Sequence, residues 1–373
     1  MRSALVGALA VVLVSACSSA AAPTTTAPSL TSAPAVSVVP ATSSAPSSLI
    51  AAPPSAPPVP SATSGSSGFV DLSAAGAVQF DAPLGSDFAA LAGGFLVTTD
   101  VDGGMEVYEL SGKLLYTLSV PGGACGAPDV GFGAIWTATC AASPGLARID
   151  DSSFYAAPVD VGGATDPSAS VAAAEGGVWL IRAGARNELI EVNPQIQSRS
   201  VVFSEAAPDG ASAVRAGYGA VWVASPSLGR VTRIDPGSGD VVATIDVGHE
   251  PQLLAIGDNA VWTLNQADAS LSRIDPATNG VVATVSFGEV VDRSEIAFGG
   301  GYVWVRGSTT LLYQIDPSTN KVFRRYGPAT GSGGVAADDS AVWMTAHDST
   351  TIWRLPLDIR TSASERLTAR GHS

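Results

Sequence analysis

The sequence predicts an all-β fold, a seven-bladed β-propeller of four-stranded antiparallel blades, from three features. A pattern of short strands repeats along the chain: "GYGAVWVASPSLGRVTRIDPGSGDVVATIDVG" at 217–248 is echoed by "GDNAVWTLNQADASLSRIDPATNGVVATVSFG" at 257–288. An aromatic marks each second strand at Phe95, Trp136, Trp179, Trp222, Trp262, Trp304 and Trp343, and the steps of 41, 43, 43, 40, 42 and 39 residues match one propeller blade each. A second ladder runs through Asp150, Asn193, Asp235, Asp275 and Asp316, the last four followed by Pro. Asp or Asn opening a turn accepts a hydrogen bond from the backbone two residues on, and Pro presets φ, so this ladder reads as tight turns and not as ligands.

At the N-terminus, Arg2, the apolar run from Ala4 to Val14 and "VSAC" at 14–17 read as a signal peptide over residues 1–16, its apolar core too short to span a bilayer. Val14, Ser15 and Ala16 before Cys17 resemble the bacterial lipobox. That resemblance implies export, lipidation of the Cys17 sulfur and an anchor on the extracytoplasmic face of the cell membrane. Residues 17–68 form an Ala/Pro/Ser/Thr-rich tether with no charged residue, a composition that cannot bury a core and is expected to be disordered. The propeller is expected over 69–359 and a polar tail over 360–373.

Within the propeller, strands such as "AVWVA" and "VVATIDVG" are apolar on both faces, as sheets packed face to face require. The tryptophans therefore read as wedges between blades rather than platforms for a ligand. Gly-rich triplets such as "GFG" at 131–133 and "GYG" at 217–219 recur once per blade and read as a–b turns. After Trp343 only one clear strand remains, at 351–359, so blade seven lacks a strand. The segment 76–85, "GAVQFDAPLG", resembles the outer strands of other blades. Pairing it with the C-terminal strand removes an exposed edge and closes the ring.

Cys125 and Cys140 flank the a–b hairpin of blade two, with the midpoint at the expected turn, Phe132–Gly133. They should face each other across the antiparallel pair and form a disulfide, which an oxidising exterior preserves. No histidine accompanies them, which argues against a metal or redox site. The net charge of −14 and pI near 4.5 argue against nucleic acid or anionic headgroups as partners. "DVDGG" at 100–104 starts like a calcium loop, but Ser111 stands where the bidentate Glu belongs, so it reads as a b–c turn. Phosphate loops, dinucleotide fingerprints and nucleophile elbows do not occur in a strand–turn–helix context.

The repeat "AVWV…L.RIDP.TG.VVATI.VG..P" resembles the bacterial YVTN or surface-layer type of seven-bladed propeller and, more loosely, the streptogramin (virginiamycin B) lyase group, over roughly residues 77–358. The lyase resemblance implies a histidine base and an acidic metal ligand on the face that carries the d–a and b–c loops. His249 with Glu250 (a d–a loop) and His347 with Asp348 (a b–c loop) fall on that face, but no catalytic motif of the family matches these positions residue by residue. The expectation is a non-catalytic, monomeric binding or scaffolding module of the bacterial cell envelope that holds an envelope protein, a glycan or a small ligand. Membrane contact is through the lipid anchor alone, and no cofactor is expected. The alternative is a metal-dependent lyase of the streptogramin type with Mg²⁺, for which His249 and His347 are the catalytic candidates. Binding candidates are the departures from consensus on that face: His249, Glu250, Gln252, Asn265, Gln266, Asp292, Arg293, His347 and Asp348.

Overall fold

The computed structural model describes residues 69–357, apart from 83–84, 101, 141–144, 164–169, 183–186, 197, 204–206, 208–209, 290, 292–293, 308–309, 329–330 and 348, and describes no side chains over 197–206. The signal peptide, Cys17, the tether and the polar tail therefore lie outside the described residues. So do Asp292, Arg293 and Asp348.

Two strands precede the first full blade, β1 (Val70–Asp71) and β2 (Val78–Asp81). Blade one follows with β3 (Ser86–Ala92), β4 (Phe95–Asp100), β5 (Gly104–Glu109) and β6 (Leu114–Ser119), and blade two with β7 (Asp129–Gly131), β8 (Ala134–Ala138), β9 (Leu146–Asp150) and β10 (Ala156–Val159). Blade three is β11 (Ala172–Ala174), β12 (Gly177–Arg182), β13 (Glu188–Asn193) and β14 (Ser198–Phe203). Blade four is β15 (Ala213–Gly217), β16 (Ala220–Ser225), β17 (Arg230–Ile234) and β18 (Val241–Asp246), and blade five β19 (Pro251–Gly257), β20 (Ala260–Asn265), β21 (Ser270–Asp275) and β22 (Gly280–Ser286). Blade six is β23 (Glu295–Gly299), β24 (Tyr302–Arg306), β25 (Leu312–Asp316) and β26 (Lys321–Gly327), and blade seven β27 (Val335–Ala337), β28 (Ala341–Met344) and β29 (Thr351–Pro356).

Seven four-stranded antiparallel units result. The innermost strands β3, β7, β11, β15, β19, β23 and β27 pack in sequence around one axis and close on β3. Blade seven is completed by β2, which pairs with β29 in antiparallel register, Val78 opposite Arg354 and Asp81 opposite Thr351. The two-ended closure expected from residues 76–85 is thus present. The two-residue strand β1 was not foreseen; it adds in parallel to β26 as a fifth strand of blade six, Val70 opposite Tyr326.

The core lies between blades. Ala213, Trp222, Ala224 and Val231 of blade four pack on Leu254, Val261 and Ile274 of blade five. All six tryptophans of the ladder are fully buried. In blades two to six the indole N–H donates to the carbonyl that ends the inner strand, for example Trp222 Nε1 to Gly217 O at 3.0 Å and Trp304 Nε1 to Gly299 O at 2.9 Å. In blades two, four, five and seven an arginine from the third strand lies over the ring, 5.1 Å from its centroid for Arg273 on Trp262. Arg273 then reaches the c–d turn of the next blade, donating to Asn320 Oδ1 at 3.1 Å. The Asp-Pro turns form as expected, with Asp235, Asp275 and Asp316 each accepting the N–H two residues on. A β-bulge beside several of these turns adds twist where the third strand ends.

Candidate functional site

The inner strands all run away from the d–a loops, so their first residues surround one end of the axial channel, called the upper mouth here. Most of these positions are small or aliphatic, and the polar exceptions are bound to the neighbouring blade. An inner strand leaves unpaired N–H groups along the channel, a cost that side chains can offset. Glu295 Oε2 accepts the N–H of Val335 from blade seven at 3.1 Å. Ser170 Oγ accepts that of Val214 at 2.9 Å, and Asp129 Oδ2 that of Ala173 at 2.8 Å. Arg215 works the other way, donating from Nη1 to Val171 O at 3.1 Å and Val214 O at 3.0 Å.

Charges from four blades meet at this mouth. His347, in the b–c loop of blade seven, hydrogen-bonds through Nδ1 to Asp87 Oδ1 at the start of β3, across the closure of the ring. The same joint is held by Thr345 Oγ1, which donates to Asp87 O at 3.2 Å and accepts from Gly334 N at 2.7 Å. Glu295 lies beside it, since a Cβ on Gly334 would stand 2.8 Å from Glu295 Oε2 and 2.9 Å from Asp87 O. Burial pushes the Glu295 carboxyl up to about 7, with Asp87 adding to the rise and the Val335 N–H and Arg215 opposing it.

A second cluster belongs to blade five. His249 is strongly exposed; its backbone N–H donates to Asp268 Oδ2 at 2.6 Å and its Nδ1 lies 2.8 Å from Asp268 Oδ1. Those two bonds, the backbone one first, hold the Asp268 carboxyl below the usual range. Glu250 is exposed with φ +53°, and its carbonyl accepts the N–H of Gln266 at 3.0 Å. Gln252 is partly buried on β19. Asn265 is fully buried, and its amide nitrogen donates to Ser270 Oγ at 3.0 Å and Ser272 Oγ at 2.9 Å, so it braces β20 against β21. The residues singled out in the sequence thus fall into two groups, around His249 in blade five and around His347 at the ring closure, with blade six between them.

Asp87, Arg215, Glu295 and Asp268 were missed. Aligning the repeats on their tryptophans marks two of them: Arg215 falls where blades three, five, six and seven carry Ala172, Ala255, Ala297 and Ala336, and Glu295 where blades two and four carry Ala127 and Ala213. Asp268 had no comparable mark, being one polar residue in a polar loop. The Cys125–Cys140 disulfide is formed, with Cα atoms 5.7 Å apart, just beyond the β7–β8 pairing and next to the Ala124–Thr139 bridge. It ties the loop entering blade two to its b–c loop.

No family model matches the chain, and no curated protein matches it. Among solved structures it is similar to virginiamycin B lyase from Staphylococcus aureus, at 15% identity and TM-score 0.63, covering 76% of this chain and 99% of that one. A catalytically inactive variant of that lyase with quinupristin gives 14% identity and TM-score 0.65 at the same coverage. BamB from Moraxella catarrhalis gives 10% identity and TM-score 0.51, covering 72% of this chain and 82% of that one. At these identities the likeness is one of fold, and the fold is the seven-bladed propeller.

Proposed function

We propose that the chain is a lipid-anchored, extracytoplasmic binding module that is not an enzyme, and that it presents the upper mouth of its propeller to a ligand in the bacterial cell envelope. The observation carrying this reading is the rim itself. Asp87, Arg215, Glu295 and His347, from blades one, four, six and seven, gather around one mouth, and each is tied to an adjacent blade or strand. Such a polar surface is preorganised: little side-chain entropy is lost on binding, and acidic and basic groups lie together for a zwitterionic or hydrogen-bonding ligand such as a glycan or peptide. Cys17 and the uncharged tether would hold that face off the membrane.

A second reading, a lyase of the streptogramin type, is favoured by one feature. A carboxylate at the Nδ1 of an imidazole is the arrangement that orients a histidine for general-base work, and His347 with Asp87 has it. The metal that this reading implies is not matched by the donors: among the described residues no three His, Cys, Asp or Glu side chains are grouped to hold an ion. The binding reading is therefore preferred.

A thermal-shift screen of the purified protein against cell-wall fragments, Mg²⁺ and streptogramins tests both. A ligand of the folded state at 100 times its Kd stabilises by about 2.7 kcal/mol. Stabilisation by wall fragments that is lost in His347→Ala, with the unliganded Tm near that of the parent, is the expected result. Mg²⁺-dependent consumption of a streptogramin, abolished by the same substitution, would replace the binding reading with the lyase.

A further inference from the structure

Each blade ends on an outer strand with an unpaired edge, and such an edge invites another chain unless it is charged, interrupted by proline or covered. Most blades are guarded in one of these ways. Asp81 stands in β2, Pro158 in β10, Arg199 in β14 and Asp246 in β18, and β6 opens directly after Lys113. The edge of β26 is covered by β1. β22 has none of these devices: it is seven residues long, holds no charge and no proline from Gly280 to Gly288, and among the described residues is the last strand of its sheet.

The free groups of this edge can be located. Just past the end of β22, Phe287 N donates to Ala269 O at 3.0 Å, so that N–H points towards the third strand of the blade. In an antiparallel ladder the direction alternates along the strand, and Ser286 and Thr284 therefore direct their N–H and C=O outward. Blade two agrees: Pro158, which has no N–H to give, follows Ala157 opposite Arg148 as Thr284 follows Ala283 opposite Arg273. An apolar strip runs beside the edge. Val281 and Val282 are 38% and 56% exposed, and Val241 and Val242, at the same place in β18 of the preceding blade, are 49% and 50% exposed.

What fits such an edge is one extended segment. Blade six shows the mode within the chain, since β1 adds to β26 as a fifth strand. Four partly exposed valines and one strand edge fall far short of the about 800 Å² that each partner of a stable dimer contributes, which argues against a second copy. A single added strand instead gains affinity from main-chain hydrogen bonds. A charged side chain set against β22 would meet no counter-charge on it, so the segment is uncharged at its centre, and the net charge of −14 favours lysine or arginine at its ends.

We propose that β22 is a docking edge that takes, as a fifth strand of blade five, an extended β-branched segment of a partner protein, uncharged at its centre and basic at its ends. This inference is independent of the ligand assigned to the upper mouth. The probe is a fluorescent peptide of alternating valine and threonine with a lysine at each end, titrated against the purified full chain by anisotropy. Thr284→Pro removes an outward N–H and installs the residue that blade two already carries there, so the ladder within the blade is kept. Val282→Lys adds a charge to the exposed strip and leaves the backbone intact. Both are expected to weaken binding at least about tenfold, with the Tm of the free protein near that of the parent, whereas Thr244→Pro, the same change in β18, should bind like the parent. Amide exchange at Thr284 and Ser286 should slow when the peptide is added, which a merely structural strand would not show. Absence of saturable binding up to about 1 mM peptide, parent-like binding in both β22 variants, or loss in Thr244→Pro alone would overturn the proposal. So would a dimer of the parent in sedimentation that Thr284→Pro dissolves, which would make a second copy the occupant.

Discussion

Glu295 ties blade six to blade seven through one backbone N–H, in a site where burial disfavours its charge. Its carboxyl titrates near 7 in the fold against an ordinary value of 4.5. A group raised in this way adds stability below about pH 4.5, and that contribution is lost as pH rises through about 7. Glu295→Gln keeps an acceptor for Val335 and has no charge to desolvate. The variant is therefore expected to show a higher Tm than the parent at pH 8 and no gain at pH 4, with a flatter dependence between them; a parallel offset at both pH values would contradict this account. The turn aspartates behave oppositely, because Asp150, Asp235 and Asp275 are held low mainly by hydrogen bonds from the residues after them. The same two classes explain what could be read from the sequence. Asp235 was legible as a turn because its partners are two and three residues away. The role of Glu295 depends on a blade 40 residues distant, and nothing local announces such a pairing.

Elements announced themselves when they repeated. Trp222 and Trp262 stand at the same place in β16 and β20, so the blade period could be counted without knowing any contact. The strand β1 has two residues and no repeat partner, which is why it surfaced only in the structure. The disulfide of blade two lies between these cases, readable as a pair of residues symmetric about a turn. It closes a loop of sequence separation 15, for which the chain-entropy estimate is about 3 kcal/mol. Blade two also has short paired strands, β7 of three residues and β10 of four, so the link reinforces a weak element. Reduction with dithiothreitol is expected to lower the denaturant midpoint, and Cys140→Ser should reproduce the shift and be insensitive to reductant. An unchanged midpoint in both would show that the link adds nothing to the folded state.

For the molecule as a whole, the decisive contact is the pairing of β2 with β29. A chain that starts at Ser86 loses this strand, the buried Leu72 that packs on blades six and seven, and the buried Ala82 that packs on blades seven and one. At about 1.5–3 kcal/mol for one large apolar side chain, the loss of Leu72 alone is expected to cost about that much, together with an open edge at β29 that invites self-association. Light scattering and thermal unfolding of that shortened chain measure both, and a monomer as stable as the parent would refute the closure as the source of stability. The same pairing also dictates an order of events. When the chain is made N-terminus first, β2 emerges near the beginning and its partner near the end, so the strand must wait unpaired while six blades form. Ring closure is consequently a late, long-range step whose rate is set by the search of one chain end for the other. Any factor that holds residues 70–81 during that interval would govern how fast the native propeller appears without touching its final stability.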